Sequence, residues 1–189
     1  MTTPLRIVAL SGSLHAPSKT EALLAAILAE LDATADVDAQ LIRLHELAPG
    51  FAGALRRDQV GEEVEQALQQ VAAADLLIVA TPIYKASYTG LLKYFLDFLD
   101  QYALVDVPVL LAATGGSDRH ALVIDHALRP LFAFFQAQVL PVGIYGKDAD
   151  FAEGRLAETA VLERIQQAAV RALPLARARQ SAALPAEVA

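Results

Sequence analysis

Hydroxyl side chains are concentrated in one short segment near the start of the chain, residues 11–20. The segment follows an apolar run and precedes a helical pattern, so its last residues fall at a helix N-terminus. Backbone N–H groups and the helix dipole at such a position stabilise the dianion of a phosphate monoester, and hydroxyl groups add donors. The residue pattern therefore predicts a phosphate site, and its hydroxyls come from Ser11, Ser13, Ser18 and Thr20.

The same segment differs from the common phosphate-binding motifs. Five residues separate Gly12 from Ser18, and the second glycine of a Walker loop is missing. With Gly12 as its single glycine, the segment also lacks the dinucleotide-binding fingerprint. These differences argue against ATP hydrolysis. An ordinary helix cap at Ser18 would explain one of the four hydroxyls.

Two further segments, residues 81–90 and 114–120, each follow an apolar run. In the first, Pro82 stiffens the chain, which leaves Ile83, Tyr84 and Ser87 to present backbone and side-chain groups to a ligand. In the second, Gly115-Gly116 has no side chains, so a flat ring can approach the backbone closely. Taken singly, Thr-Pro is a common strand end and Gly-Gly a common turn.

The elements that must position these segments alternate between strand and helix. Short apolar runs, typical of strands buried on both faces, are Leu5–Leu10, Leu76–Ala80, Val107–Ala113 and Val139–Tyr145, and Asp38–Leu44 alternates like an edge strand. Helical spacing over residues 23–31 and 60–71 separates them. We therefore predict an α/β, flavodoxin-like, doubly wound three-layer sandwich with a five-stranded parallel sheet in the order 2-1-3-4-5. All three segments then lie at the carboxyl edge of the sheet, where a planar mononucleotide such as a flavin fits.

Length, charge and composition restrict the remaining possibilities. The 189 residues fit one domain, predicted over 1–175, with a flexible tail over 176–189. A net charge of −7 opposes binding to nucleic acid or to an anionic membrane. The absence of cysteine excludes thiol chemistry, the histidines lack metal-ligand spacing, and no Ser-His-Asp arrangement is evident. No catalytic side chain and no metal are predicted, so redox chemistry has to come from bound cofactors, and we expect a soluble, cytoplasmic protein.

The three segments together resemble those of the NAD(P)H-dependent FMN reductases of the flavodoxin-like superfamily. The shared motifs are Gly-Ser with a downstream Ser-Lys-Thr, the stretch Thr81–Lys93, and Ala-Thr-Gly-Gly at 113–116. The reductase components of two-component alkanesulfonate and methanesulfonate monooxygenases are the most similar. The resemblance implies FMN, NADH or NADPH, and a partner monooxygenase that receives reduced flavin. It assigns Ser11, Ser13, Ser18, Lys19 and Thr20 to the phosphate and ribityl end, and Pro82, Ile83, Tyr84, Ser87, Thr114, Gly115 and Gly116 to the isoalloxazine.

Two helical patterns, residues 90–102 and 120–136, are apolar nearly all round. Such helices are buried on more than one side, which favours a homodimer or homotetramer, although a thick core under a long loop is the alternative. Pro130 lies inside the second pattern, where its ring collides with the carbonyl of His126. A π-bulge would relieve the clash, and a simple proline kink with a packed His126 is the alternative. The sulfonate-type reductases carry such a bulge at their subunit interface, and many have tyrosine at the position of His126.

Two other functions remain open on these residues. Quinone or azo reduction on the same fold would differ only in the final acceptor. A flavodoxin-like electron carrier would hold FMN permanently, and such carriers often shield it with a tryptophan, which this chain lacks.

Overall fold

The apolar runs form one parallel sheet in the structure, a computed structural model that describes residues 3–183. Its strands are β1 (Leu5–Ser11), β2 (Val37–Arg43), β3 (Leu76–Pro82), β4 (Pro108–Gly115), β5 (Gln138–Val139) and β6 (Ile144–Lys147). The order is β2-β1-β3-β4-β5, and β6 also pairs with β4. A small antiparallel pair follows, β7 (Phe151–Ala152) and β8 (Arg155–Leu156). The predicted strand order and the edge position of β2 are confirmed.

The last position of the sheet is occupied by two short strands and not by the single strand predicted over Val139–Tyr145. Strand β5 pairs with the first half of β4, and β6 pairs with its second half. Pro141 lies between them and has no N–H to donate, so the ladder cannot continue through it. The carboxyl end of β6 still reaches the edge of the sheet where the predicted site lies.

Helices cover both faces of the sheet. They are α1 (Lys19–Thr34), α2 (Leu44–Leu47), α3 (Glu62–Ala73), α4 (Gly90–Leu96), α5 (Arg129–Phe134) and α6 (Thr159–Ala183). Alternate strand residues face opposite sides: Ile7 and Ile78 pack with α1 and α6, whereas Val8 and Val79 pack with α3 and α4. This arrangement is the doubly wound three-layer sandwich that the sequence predicts.

The two apolar helical patterns fold less regularly than expected. Helix α4 ends at Leu96, and Phe98 and Leu99 beyond it are buried in the core. The second pattern divides into a π-helix, Ile124–Leu128, and α5. The N–H of Arg129 donates to the carbonyl of Ile124, so the helix has a π turn just before Pro130. Much of the apolar surface is therefore used inside this chain.

The predicted flexible tail is wrong over residues 176–183, because α6 continues through them and through Pro174 to Ala183. Ala176 is buried, and the Arg179 guanidinium donates to the carbonyls of Ala72 and Ala74. The predicted boundary at residue 175 thus falls inside a helix that packs on the sheet. Residues 184–189 of the predicted tail lie outside the described residues.

The same end of α6 is joined to the start of β1. Arg177 donates to the carbonyl of Thr3 at 3.0 Å, and the Gln180 amide donates to the carbonyl of Pro4 at 2.8 Å. Gln180 also reaches the buried carboxylate of Asp75. Within the described residues, no helix is long and apolar enough to cross a membrane.

Candidate functional site

A cavity of about 410 Å³ opens at the carboxyl edge of the sheet, where the loops after β1, β3 and β4 meet. Its size falls within the range of small-molecule sites. The lining residues are Ser13, His15, Pro17, Ser18, Lys19, Thr20, Pro82, Ile83, Tyr84, Thr114, Gly115, Gly116 and Asp148. The structure therefore brings together every residue predicted for the site except Ser11 and Ser87, and it adds three others, His15, Pro17 and Asp148.

One end of the cavity is the N-terminus of α1. Ser18 is the N-cap, and its Oγ accepts from the N–H of Glu21 at 3.2 Å. The first turn of a helix has no preceding carbonyls for its N–H groups, so those of Lys19 and Thr20 are available to an anion. The positive end of the helix dipole adds to the same field. This end suits a phosphate group.

Two threonine hydroxyls connect the first and third loops. Thr20 Oγ1 and Thr114 Oγ1 are 2.7 Å apart, and both residues are buried. Each hydroxyl keeps acceptor capacity for a ligand, but their shared hydrogen bond makes them a structural link as well. Ser11 has a similar supporting role, because its buried Oγ accepts from the N–H of Ser13 at 3.4 Å.

A buried hydrogen-bond network that was not predicted from the sequence joins the first and second loops. Thr89 Oγ1 donates to the carbonyl of Gly12 at 2.8 Å and accepts from the N–H of Leu92, capping α4. The N–H of Thr89 donates to Thr81 Oγ1 at 3.2 Å. A Cβ on Gly12 would lie 3.2 Å from both Thr81 and Leu92, so the loops approach as closely as a glycine allows. The signal available in sequence was an N-cap threonine before α4.

The second loop ends in a tight hairpin turn beside the cavity. Tyr84 and Ser87 exchange backbone hydrogen bonds of 3.0 and 3.1 Å, and Lys85 and Ala86 between them both have positive φ. Such a turn is uncommon without glycine. It presents the half-exposed Tyr84 side chain to the cavity, whereas Ser87 supports the turn through its backbone.

The two adjacent glycines of the third loop have different surroundings. A Cβ at Gly115 would lie 2.6 Å from Tyr145 Oη and 3.1 Å from His120 Nδ1. A Cβ at Gly116 would meet nothing within 4 Å. Gly115 is therefore required by the protein's own packing, and Gly116 leaves open space that a flat ring can occupy.

Charges at the mouth of the cavity are nearly balanced. Lys19 Nζ lies 2.9 Å from a carboxylate oxygen of Asp148, which follows β6. His15 Nδ1 lies 3.2 Å from the carbonyl of Pro17. Burial raises the pKa of Tyr145, as do the carboxylates of Asp118 and Asp148. Among residues 3–183, no cluster of three or more potential metal ligands occurs.

Fold and site together define a class. A parallel doubly wound sheet with a helix N-terminus, hydroxyls and open backbone at its carboxyl edge is a mononucleotide-binding protein of the flavodoxin-like type. Its sequence matches the NADPH-dependent FMN reductase family over residues 5–151, and the chain belongs to that family. It is an oxidoreductase with FMN and a reduced nicotinamide as its cofactors.

Individual relatives agree with this assignment. The NADH-dependent FMN reductase SfnF of Pseudomonas fluorescens strain Pf0-1 is 51% identical over 175 residues, 93% of this chain and 94% of its own. An FMN reductase (NADPH) of Pseudomonas aeruginosa is 48% identical over the same shares. Among solved structures, an oxidoreductase from Corynebacterium diphtheriae is 35% identical, with a TM-score of 0.80 over 93% of this chain and 99% of its own.

Proposed function

We propose that this protein binds FMN in the carboxyl-edge cavity, reduces it with NADH or NADPH, and releases the reduced flavin to a partner monooxygenase. The proposal depends on one observation: a single cavity combines a phosphate-binding end with an open face for a planar ring. The N-terminus of α1 offers donors for a phosphate, and the open space at Gly116 beside Tyr84 accepts a planar ring.

The protein's own groups would bind and orient the flavin. The N–H groups and hydroxyls of Ser18 and Thr20, with Lys19, would hold the phosphate, and Pro82, Ile83 and Tyr84 would line one side of the ring. Thr114, Gly115 and Gly116 would lie on the other side. When both cofactors are bound, the nicotinamide supplies a hydride and the flavin accepts it. The chain then has to stack the two rings and exclude water, which needs no acid–base side chain.

Anaerobic turnover tests the proposal. A catalytic amount of protein is mixed with excess free FMN and either NADH or NADPH, and the visible absorbance of oxidised flavin is followed. We expect many FMN molecules to be reduced per protein molecule. Reduction limited to one equivalent of flavin would support the electron carrier, and turnover only after addition of a quinone or azo dye would support those acceptors.

A partner monooxygenase is supported by the resemblance to reductases of sulfonate monooxygenase systems, and with it we propose a role in organosulfur metabolism. Affinity capture with a flavin-dependent monooxygenase encoded nearby, followed by a coupled oxygenation assay, tests it. Since both nucleotides are found in the cytoplasm, we also propose that location.

We further propose that the chain forms a homodimer or homotetramer through the region around the π-helix. Leu122 and Phe134 flank this region and are 61% and 65% exposed, and Tyr102 is 60% exposed. Exposed apolar side chains that group on one surface are typical of protein–protein contacts. His126 and Pro130, both exposed, lie on the same segment. Light scattering on the wild type and on Leu122→Glu/Phe134→Glu tests this: we expect an oligomer that the double variant converts to monomer near 20.1 kDa. A monomeric wild type would contradict it.

A further inference from the structure

One acidic side chain, that of Asp148, lies among the groups that would bind a flavin phosphate. Lys19 and Asp148 are the two fully charged side chains among the described residues that line the cavity, and they form an ion pair of 2.9 Å. The charges of Lys19 and Asp148 therefore cancel in the cavity lining. A site that binds a dianion normally presents uncompensated positive charge.

Asp148 is held in place by its surroundings. It begins a short 3₁₀ turn, Asp148–Asp150, directly after β6. The buried carboxylate of Asp150 accepts from the N–H of Lys147 at 2.8 Å, and its carbonyl accepts from the N–H of Ala157 at 2.8 Å. Lys19, in contrast, is at the end of a flexible four-carbon stem. The lysine therefore reaches a carboxylate whose backbone is held in place.

Stability does not account for this pair. The Lys19 and Asp148 side chains are 46% and 60% exposed, and ion pairs at such exposure contribute little to the free energy of folding. Their position has a clearer consequence for binding. A phosphate at the N-terminus of α1 would be next to Lys19, whose positive charge is already partly offset by Asp148.

We propose that Asp148 weakens the binding of the FMN phosphate by engaging Lys19, so that flavin exchanges rapidly between this protein and solution or partner. The inference rests on the proposed function, because only a reductase that releases its flavin needs such weakening. The phosphate is held by backbone N–H groups and hydroxyls, while Lys19, the one lysine among the described residues that line the cavity, is shared with a competing carboxylate.

Binding of FMN and of riboflavin, which lacks the phosphate, tests the proposal. Fluorescence titrations compare the wild type with Asp148→Asn, and Asp58→Asn is the matched control. Asp58 also pairs with a single cation, Arg56 at 3.1 Å, and is 67% exposed, but it lies outside the cavity. For Asp148→Asn we expect the Kd of FMN to fall about tenfold, because the Lys19 charge is then free to pair with the dianion. The Kd of riboflavin should stay within about twofold, and Asp58→Asn should change neither.

A second comparison tests whether the effect of Asp148 depends on Lys19. In a Lys19→Gln background, Asp148→Asn should tighten FMN binding by less than about threefold, because the carboxylate then has no lysine to engage. An undiminished effect there would overturn the role of the pair. Equal changes for FMN and riboflavin, or an unchanged FMN affinity in Asp148→Asn, would overturn the proposal as a whole. These titrations measure binding and need no turnover. A negative result would therefore contradict this proposal without contradicting the reductase activity, which the turnover assay tests.

Discussion

Adjacent glycines in the third loop provide a sharp test of the site, because the same substitution should act in opposite ways. At Gly115, a new methyl group would lie 2.6 Å from Tyr145 Oη, and that hydroxyl donates to the carbonyl of Ser117 at 2.6 Å. Either the tyrosine or the loop must move. Overpacking of this kind costs about 1–3 kcal/mol, which lowers Tm by roughly 2–12 °C for a chain of this size.

At Gly116, the methyl group would enter open space. The φ of Gly116 is not positive, so alanine fits the backbone and loses less entropy on folding than glycine. We expect Gly116→Ala to keep or raise stability by about 0.4–1 kcal/mol. If the ring of FMN lies against this backbone, the same methyl group should weaken flavin binding about tenfold or more, as overpacking of a contact does.

Two assays on both variants separate these effects. Thermal unfolding without flavin should show a lower Tm for Gly115→Ala and an unchanged or higher Tm for Gly116→Ala. FMN titration should show a clear loss of affinity in Gly116→Ala despite its stability. If Gly115→Ala unfolds like the wild type, the steric argument fails. If Gly116→Ala binds FMN normally, the ring does not lie where we place it.

Two further predictions concern stability. Thr89→Val should lower the free energy of unfolding by about 1–3 kcal/mol, since it removes the cap of α4 and the bond to Gly12, and Thr89→Ser should restore most of it in chemical denaturation. Glu65 is bonded to Arg57 at 2.7 Å, which lowers the Glu65 pKa to about 2. Because the Glu65 pKa is lower in the folded protein, the ion pair stabilises the fold at pH values above the ordinary glutamate pKa of 4.5. This stabilisation is lost as the pH falls toward 2. The Tm difference between wild type and Glu65→Gln should therefore be constant above pH 4.5 and vanish near pH 2; a constant difference down to pH 2 would contradict it.

Much of the fold could be read from hydrophobic pattern alone. Strands buried on both faces have continuous apolar runs, which is why β1, β3 and β4 lie within a residue or two of their predicted bounds. The site followed from the fold, because parallel strands bring the loops after them to one edge. Pro130 identified the place of the π turn, since its missing N–H and its ring are local properties of one residue.

Other features depend on tertiary contacts that no local pattern contains. The end of α6 is Ala-rich with an internal Pro174, and its Arg179 and Gln180 bond to Ala74 and Pro4, in the segments just before β3 and β1. Asp148 enters the cavity from a turn far along the chain and has no motif of its own. The hydroxyl link between Thr20 and Thr114 likewise spans 94 residues.

The hydrogen bonds of Arg177 and Gln180 to Thr3 and Pro4 have a practical consequence for engineering. They lie at the amino edge of the sheet, and β1, at about 3.3 Å per residue, puts roughly 20 Å between that edge and the cavity. A short peptide joining Gln180 to Thr3 would permit circular permutation, with new termini cut into an exposed loop. A surface tether attached near Thr3 would leave the mouth of the cavity facing solvent.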